Sequence, residues 1–213
     1  MPRSESESAS AALLAIAIVA TSAACAPAKG PRRDVLAEGS PHPLVGQKAP
    51  PFATTAIDGA EMSLRPSGEA GAREPHVTVV HFFATWAESS KQTLPKLEQI
   101  WAKYHAGGLV VLAVSVDDVA APLPDFVRTY GVKYPVAWDG AKSIVRQWLA
   151  REVPATFIVD AGGVVRAAFA GYDDGFESEV EIDVRILGSE RDGDRRAQSR
   201  AHTRTLISAL TRM

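Results

Sequence analysis

Beyond the N-terminal segment, a nearly continuous apolar run extends from Val77 to Ala84 (Val-Thr-Val-Val-His-Phe-Phe-Ala), bounded by polar loop residues. Such a run predicts a central strand covered on both faces, because a half-exposed strand would alternate instead. Leu109 to Val116 repeats the pattern and predicts a second buried strand. Between them Leu94, Leu97, Ile100, Trp101 and Tyr104 recur at helical spacing, which predicts a helix reaching about Ala106 and ended by Gly107-Gly108. Two start signals overlap at its beginning: Thr85 with Glu88, and Ser89 with Gln92, both at capping-box spacing.

Shorter segments complete the outline. Phe52 to Ile57, the turn Asp58-Gly59 and Glu61 to Leu64 predict a hairpin, followed by a polar loop from Arg65 to Pro75. Pro122 to Tyr130 and Lys142 to Leu149 are expected as helices, and Tyr134 to Trp138 as a short strand. Ala155 to Val159 and Val164 to Ala170 are expected to pair through Asp160-Ala161-Gly162-Gly163. Val180, Ile182, Val184 and Ile186 alternate with charged residues and favour a half-buried strand, although Phe176, Val180, Val184 and Leu187 also fit one helical face. A closing helix is expected from about Asp194 to Leu210, with Leu206, Ile207 and Leu210 as its apolar face. Strand–helix–strand, a second crossover and then a hairpin define an α/β fold with a central mixed sheet, helices on both faces and an N-terminal β-hairpin extension.

The N-terminus has another purpose. Ala11 to Ala20 is uniformly apolar and is followed by Thr21-Ser22-Ala23-Ala24-Cys25. An apolar stretch of this length followed by small residues reads as a secretory signal over 1–24 rather than a membrane span. The Ala-Ala-Cys ending resembles a bacterial lipobox, with Ser22 where that motif usually carries Leu. The resemblance implies cleavage before Cys25, acylation of its thiol and a membrane anchor. Ordinary signal cleavage near Ala24 or Ala26 and an uncleaved helical anchor are the alternatives. Residues 25–44, with Pro27, Pro31, Pro41 and Pro43, read as a tether, and the folded domain is expected over 45–213, with 172–213 a divergent C-terminal strand and helix.

Composition narrows the function. With 23 Lys and Arg against 25 Asp and Glu the formal charge is −2, and no basic patch alternates with aromatics, so nucleic acid is not an expected partner. The single cysteine, Cys25, excludes an intramolecular disulfide and a multi-thiolate zinc site. The histidines 42, 76, 81, 105 and 202 show no ligand spacing, and neither metal nor cofactor is expected.

His81-Phe82-Phe83-Ala84-Thr85-Trp86-Ala87-Glu88-Ser89-Ser90-Lys91, with Pro95 beyond, resembles the active-site segment of the TlpA/ResA-like thioredoxin family of AhpC/TSA-related redoxins. That family usually reads Phe-Trp-Ala-Thr-Trp-Cys-Gly-Pro-Cys-Arg there. Val153-Pro154-Ala155-Thr156-Phe157-Ile158-Val159-Asp160 resembles its Val-Pro-Thr-Thr-Phe-Leu-Ile-Asp segment, whose proline is cis and faces the cysteines. The hairpin from Val45 and the strand from Gly108 to Asp117 are similar as well, and together the likeness runs from Val45 to about Tyr172. It implies a thioredoxin-like fold, thiol–disulfide chemistry and a groove that binds extended polypeptide.

By this alignment Ala87 stands at the first cysteine and Ser90 at the second. Thiol exchange needs a thiolate to attack and a second thiol to resolve the mixed disulfide. A methyl group and a neutral hydroxyl supply neither. No catalytic residue is therefore expected among Trp86, Ala87, Glu88, Ser89 and Ser90. The two serines read most simply as helix caps; an anion contact at the helix start and a serine nucleophile are the rival readings. Trp86 either flanks the groove or is ordinary packing. The resemblance places a binding groove at Trp86, Ser90, Val153 and Pro154. His81 reads as a satisfied core histidine, and Asp117-Asp118 and Asp173-Asp174 as turn residues.

Three functions follow as expectations. The first is a redox-inactive envelope lipoprotein whose domain binds an extended peptide or an envelope protein, held to the membrane by Cys25. The second is a thiol–disulfide oxidoreductase or peroxide-reducing redoxin acting without its own cysteine pair. The third is an assembly module that pairs through Glu179 to Arg185 as an edge strand.

Overall fold

The computed structural model describes residues 42–65 and 77–189. The expected signal, Cys25, most of the expected tether and the closing helix expected at Asp194 to Leu210 lie outside them.

A five-stranded mixed sheet forms the centre, in the order β5-β4-β3-β6-β7. β3 (Val77–Phe83) runs parallel to β4 (Leu109–Ser115), which runs parallel to β5 (Val136–Trp138); β6 (Ala155–Asp160) and β7 (Val165–Ala170) continue antiparallel on the other side. Every residue of β3 is buried, as the continuous apolar run requires of a strand with both faces covered. Two strands outside the sheet, β1 (Phe52–Thr55) and β2 (Glu61–Leu64), form the expected hairpin around Asp58-Gly59. Gly59 there has φ of +88°, a left-handed conformation that side chains with a Cβ rarely adopt.

Each face of the sheet carries its own core. On one, Val77, Val79 and Phe83 meet Leu94, Leu97 and Ile100 of α1 (Glu88–Tyr104) and Leu123 of α2 (Leu123–Thr129). On the other, Val80, Phe82, Phe157 and Val159 meet the hairpin's Phe52, Met62 and Leu64 and, from the region of α3 (Ser143–Gln147), Ile144 and Trp148. The Trp148 ring is fully buried, 5.0 Å from that of Phe157 and 6.0 Å from that of Phe82. This is a thioredoxin-like fold with an N-terminal hairpin.

The segment 180–186 is a helix, not the strand favoured by its alternation. Residues 176–189 form α4. Phe176, Val180 and Val184 are buried against the α1 side of the sheet, with Leu187 packed on the same core. Lys96 of α1 pairs with Glu177 at 2.6 Å, and Lys103 with Glu181 at 2.5 Å, so charges four apart on α4 meet charges on one face of α1. Ile182 and Ile186, which completed the apparent period of two, face solvent. An edge strand from Glu179 to Arg185 therefore does not exist, and the assembly reading built on it falls.

Candidate functional site

Parallel strands that end together leave their following loops at one end of the sheet, where open α/β folds place ligands. Here Phe83 lies opposite Ser115, and Ser115 opposite Trp138. β6 begins at that same end, with Ala155 opposite Phe82, so Pro154 enters the sheet beside the residues leaving β3. The peptide bond Val153–Pro154 is cis. Trp86, Ala87 and Ser90, which follow β3, and Val153 and Pro154, which precede β6, thus lie at one sheet end.

The start of α1 differs from the capping expectation. Its N-cap is Ala87, with no side-chain capping bond. The Thr85 hydroxyl turns instead to Asp117, donating to Oδ1 at 2.8 Å, while the Thr85 backbone N–H donates to both carboxylate oxygens at 3.1 Å. The Ser90 hydroxyl is fully buried and accepts from the Ala84 N–H at 3.3 Å, so it satisfies the end of β3 rather than the helix N-terminus. The reason is competition: a buried carboxylate with acceptor capacity to spare and a strand-end amide lie within reach of these hydroxyls. Ser90 is thereby withdrawn from the surface of this sheet end. Ala87 shows only 8% of its surface, whereas Trp86 is 70% exposed.

Asp117 is more than a turn residue. It is buried, and besides Thr85 it accepts from the Ser115 hydroxyl at 2.6 Å. Its own carbonyl oxygen accepts from the Trp138 indole at 2.8 Å and from Lys142 Nζ at 2.9 Å. Sequence pattern gave no sign of this role, because an acid after a strand is usually a turn signal. The Ser115-x-Asp117 spacing, which lets the hydroxyl reach the carboxylate, is the only local hint.

Beneath the site His81 is fully buried. Thr156 Oγ1 lies 2.9 Å from Nδ1 and Thr93 Oγ1 3.3 Å from Nε2. Thr93 donates its own proton to the Ser90 carbonyl at 3.1 Å, so Nε2–H donates to Thr93 and Nδ1 accepts from Thr156. This is a satisfied neutral core histidine. Burial pushes its pKa down from 6.5 to about 3. At the rim, Glu88 accepts from Lys91 at 2.8 Å, and that hydrogen bond, with the opposite charge, raises the Lys91 pKa. Among the described residues no three His, Cys, Asp or Glu side chains cluster as metal ligands, and no helix is long and apolar enough to cross a membrane.

The sheet order, the cis proline at the sheet end from which the long helix starts, and the hairpin define the class: a thioredoxin-like domain of the redoxin type. The chain belongs to the AhpC/TSA family, whose model matches residues 45–168. It is 26% identical over 121 residues to the thiol-disulfide oxidoreductase ResA of Bacillus thuringiensis, a match covering 57% of this chain and 66% of that relative, just under two thirds of its length. It is 28% identical over 142 residues to the thioredoxin-like protein YneN of Bacillus subtilis, covering 65% of this chain and 79% of that one. Among solved structures, a Chlorobium tepidum protein described as a thiol:disulfide interchange protein DsbE superposes with a TM-score of 0.61 at 25% identity, over 68% of this chain and 97% of that one.

Proposed function

We propose that the domain is a redox-inactive redoxin that binds extended polypeptide at the sheet end formed by Trp86, Ala87, Val153 and Pro154. The observation that carries this reading is the methyl group of Ala87 at the N-cap of α1, in a frame otherwise matching the family. The helix start that would stabilise a thiolate is present and the thiol is not. The surroundings favour binding. Trp86 is exposed, and among the described residues no hydrogen bond engages the backbone of Val153, which leaves it open to strand addition by a partner.

The binding test uses reduced, carboxymethylated α-lactalbumin, a permanently extended polypeptide, against the full chain in mild detergent. Binding is expected, and Trp86→Ala is expected to weaken it about ten-fold, in the range of an aromatic interface anchor. Circular dichroism checks that the fold is kept. An unchanged affinity would move the function away from this groove. Turnover of insulin disulfides by the unsubstituted chain would instead favour the oxidoreductase reading, which the names of the relatives support.

The same reading places the protein outside the cytoplasm, exported through residues 1–24 and anchored by acylation of Cys25. The support is the apolar run ending in Ala-Ala-Cys. Cys25→Ser is expected to shift the protein from the membrane to the soluble fraction and to abolish labelling by radioactive palmitate. Persistent membrane association of that variant would show an uncleaved helical anchor.

A further inference from the structure

Among the described residues, large apolar side chains are exposed at seven positions, and three of them, Trp86, Val119 and Trp138, lie around Asp117 at the ends of β3, β4 and β5. Asp117 holds Thr85, the neighbour of Trp86, through its carboxylate and holds the Trp138 indole through its carbonyl, while Val119 follows two positions on. Their exposures are 70%, 60% and 39%, so these apolar surfaces face solvent at the sheet end already argued to bind polypeptide.

Trp138 is fixed in place before any partner arrives. Its ring N–H is engaged at 2.8 Å, and its indole lies across Gly140, where a Cβ would sit 2.4 Å from a ring carbon. Only a glycine lets the ring occupy that position. An aromatic group already held in one rotamer loses little freedom on binding and makes an efficient anchor. The neighbouring charges cancel locally. Glu88 pairs with Lys91 at 2.8 Å, and Asp118 lies 3.3 Å from Lys142, whose ammonium also reaches the carbonyls of Val116 and Asp117. A surface of aromatic and branched side chains edged by neutralised pairs selects an uncharged apolar group over an acidic or basic one.

We propose that Trp138 and Val119 form a second subsite, which takes an apolar side chain of the same extended polypeptide. The inference rests on the binding reading given above. The strand order β5-β4-β3-β6 sets the spacing. Trp138 lies three strand intervals from Val153, about 14 Å at the usual interstrand distance. An extended chain covers that in about four residues. The groove therefore reads two positions of one segment: backbone at Val153 and an apolar side chain about four residues away.

The test titrates carboxymethylated α-lactalbumin against the full chain and its Trp86→Ala, Trp138→Ala and Val119→Asp variants. Val119 is exposed, so the aspartate leaves the core intact and serves if Trp138→Ala folds poorly. Val119→Asp and Trp138→Ala are each expected to weaken binding at least five-fold, and Gly140→Ala, which displaces the ring without removing it, is expected to weaken it also. Full affinity in Val119→Asp and Trp138→Ala with a loss in Trp86→Ala overturns the second subsite and leaves the groove standing. Full affinity in all three, or no binding by the unsubstituted chain, overturns both.

Discussion

The double substitution Ala87→Cys with Ser90→Cys is expected to give the chain the ability to catalyse insulin reduction by dithiothreitol, at least ten-fold faster than the unsubstituted protein. Ala87 is the N-cap of the seventeen-residue helix α1, whose first backbone N–H groups have no partner within the helix. A thiol there meets those amides and the positive end of the helix dipole, which together lower thiol pKa values from about 8.5 into the range of about 3.5–7.5. Glu88 opposes the effect, but its carboxylate is engaged with Lys91. The residue at position 90 is buried one turn along, where a second thiol is shielded from bulk solvent yet next to the first, as resolution of a mixed disulfide needs. Replacing the Ser90 hydroxyl by a thiol gives the Ala84 N–H donor a weaker acceptor in the sulfur, at a cost of about 1 kcal/mol, which a domain of this size tolerates. The single variant Ala87→Cys is expected to trap a mixed disulfide without turnover. Equal rates for the double variant and the unsubstituted chain would show that thiols at these two positions are not sufficient for turnover.

The folded protein is also expected to lose stability steeply in acid, through His81. Its pKa is about 3 when folded against 6.5 for an exposed imidazole. Below pH 6.5 the unfolded chain takes up a proton that the folded chain refuses, so the unfolded state binds more protons and stability falls with falling pH until about pH 3. The slope within that window approaches about 1.4 kcal/mol per pH unit, and the whole contribution is about 4–5 kcal/mol. The physical origin is the site itself: Nδ1 accepts from Thr156 while Nε2 donates to Thr93, and among the described residues no carboxylate bonds to the ring to stabilise a cation. Urea unfolding at intervals from pH 7 to pH 4 should therefore separate the unsubstituted chain from His81→Gln, which cannot be protonated and still offers a donor and an acceptor to the two hydroxyls. Parallel stability curves for the two proteins would remove His81 as the acid-sensitive group.

The two expectations differ in how much of their basis the sequence carried. The positions of Ala87, Ser90 and Pro154 were readable from local likeness, because strand–turn–helix and the Val-Pro segment each keep a recognisable order of residues. The partners of the polar side chains were not. Thr85, Ser89 and Ser90 carry the spacing of helix caps, yet Thr85 bonds to a carboxylate 32 residues away and Ser90 to the end of β3. A hydroxyl takes the strongest acceptor or donor within reach, and reach is set by how strands align, not by distance along the chain. Asp117 was hidden for the same reason. Its ties to Thr85 and to Trp138 exist only because β3, β4 and β5 end in register.

The 180–186 segment shows the limit of periodicity. Val180 and Val184 belong to both a period of two and a helical face, so the pattern is degenerate there. Burial of Phe176, with Glu177 and Glu181 meeting Lys96 and Lys103, decided for the helix.

By itself the sequence determined the α/β class, the central strands, the long helix and the absence of a thiol pair, because each follows from residue type and local spacing. Only the tertiary structure decided which polar groups are satisfied by whom, that Ser90 is withdrawn from the surface, and that Trp86, Val119 and Trp138 share one end of the sheet. Those outcomes depend on contacts between segments far apart in the chain, which hydrophobic pattern drives together but does not pair atom by atom.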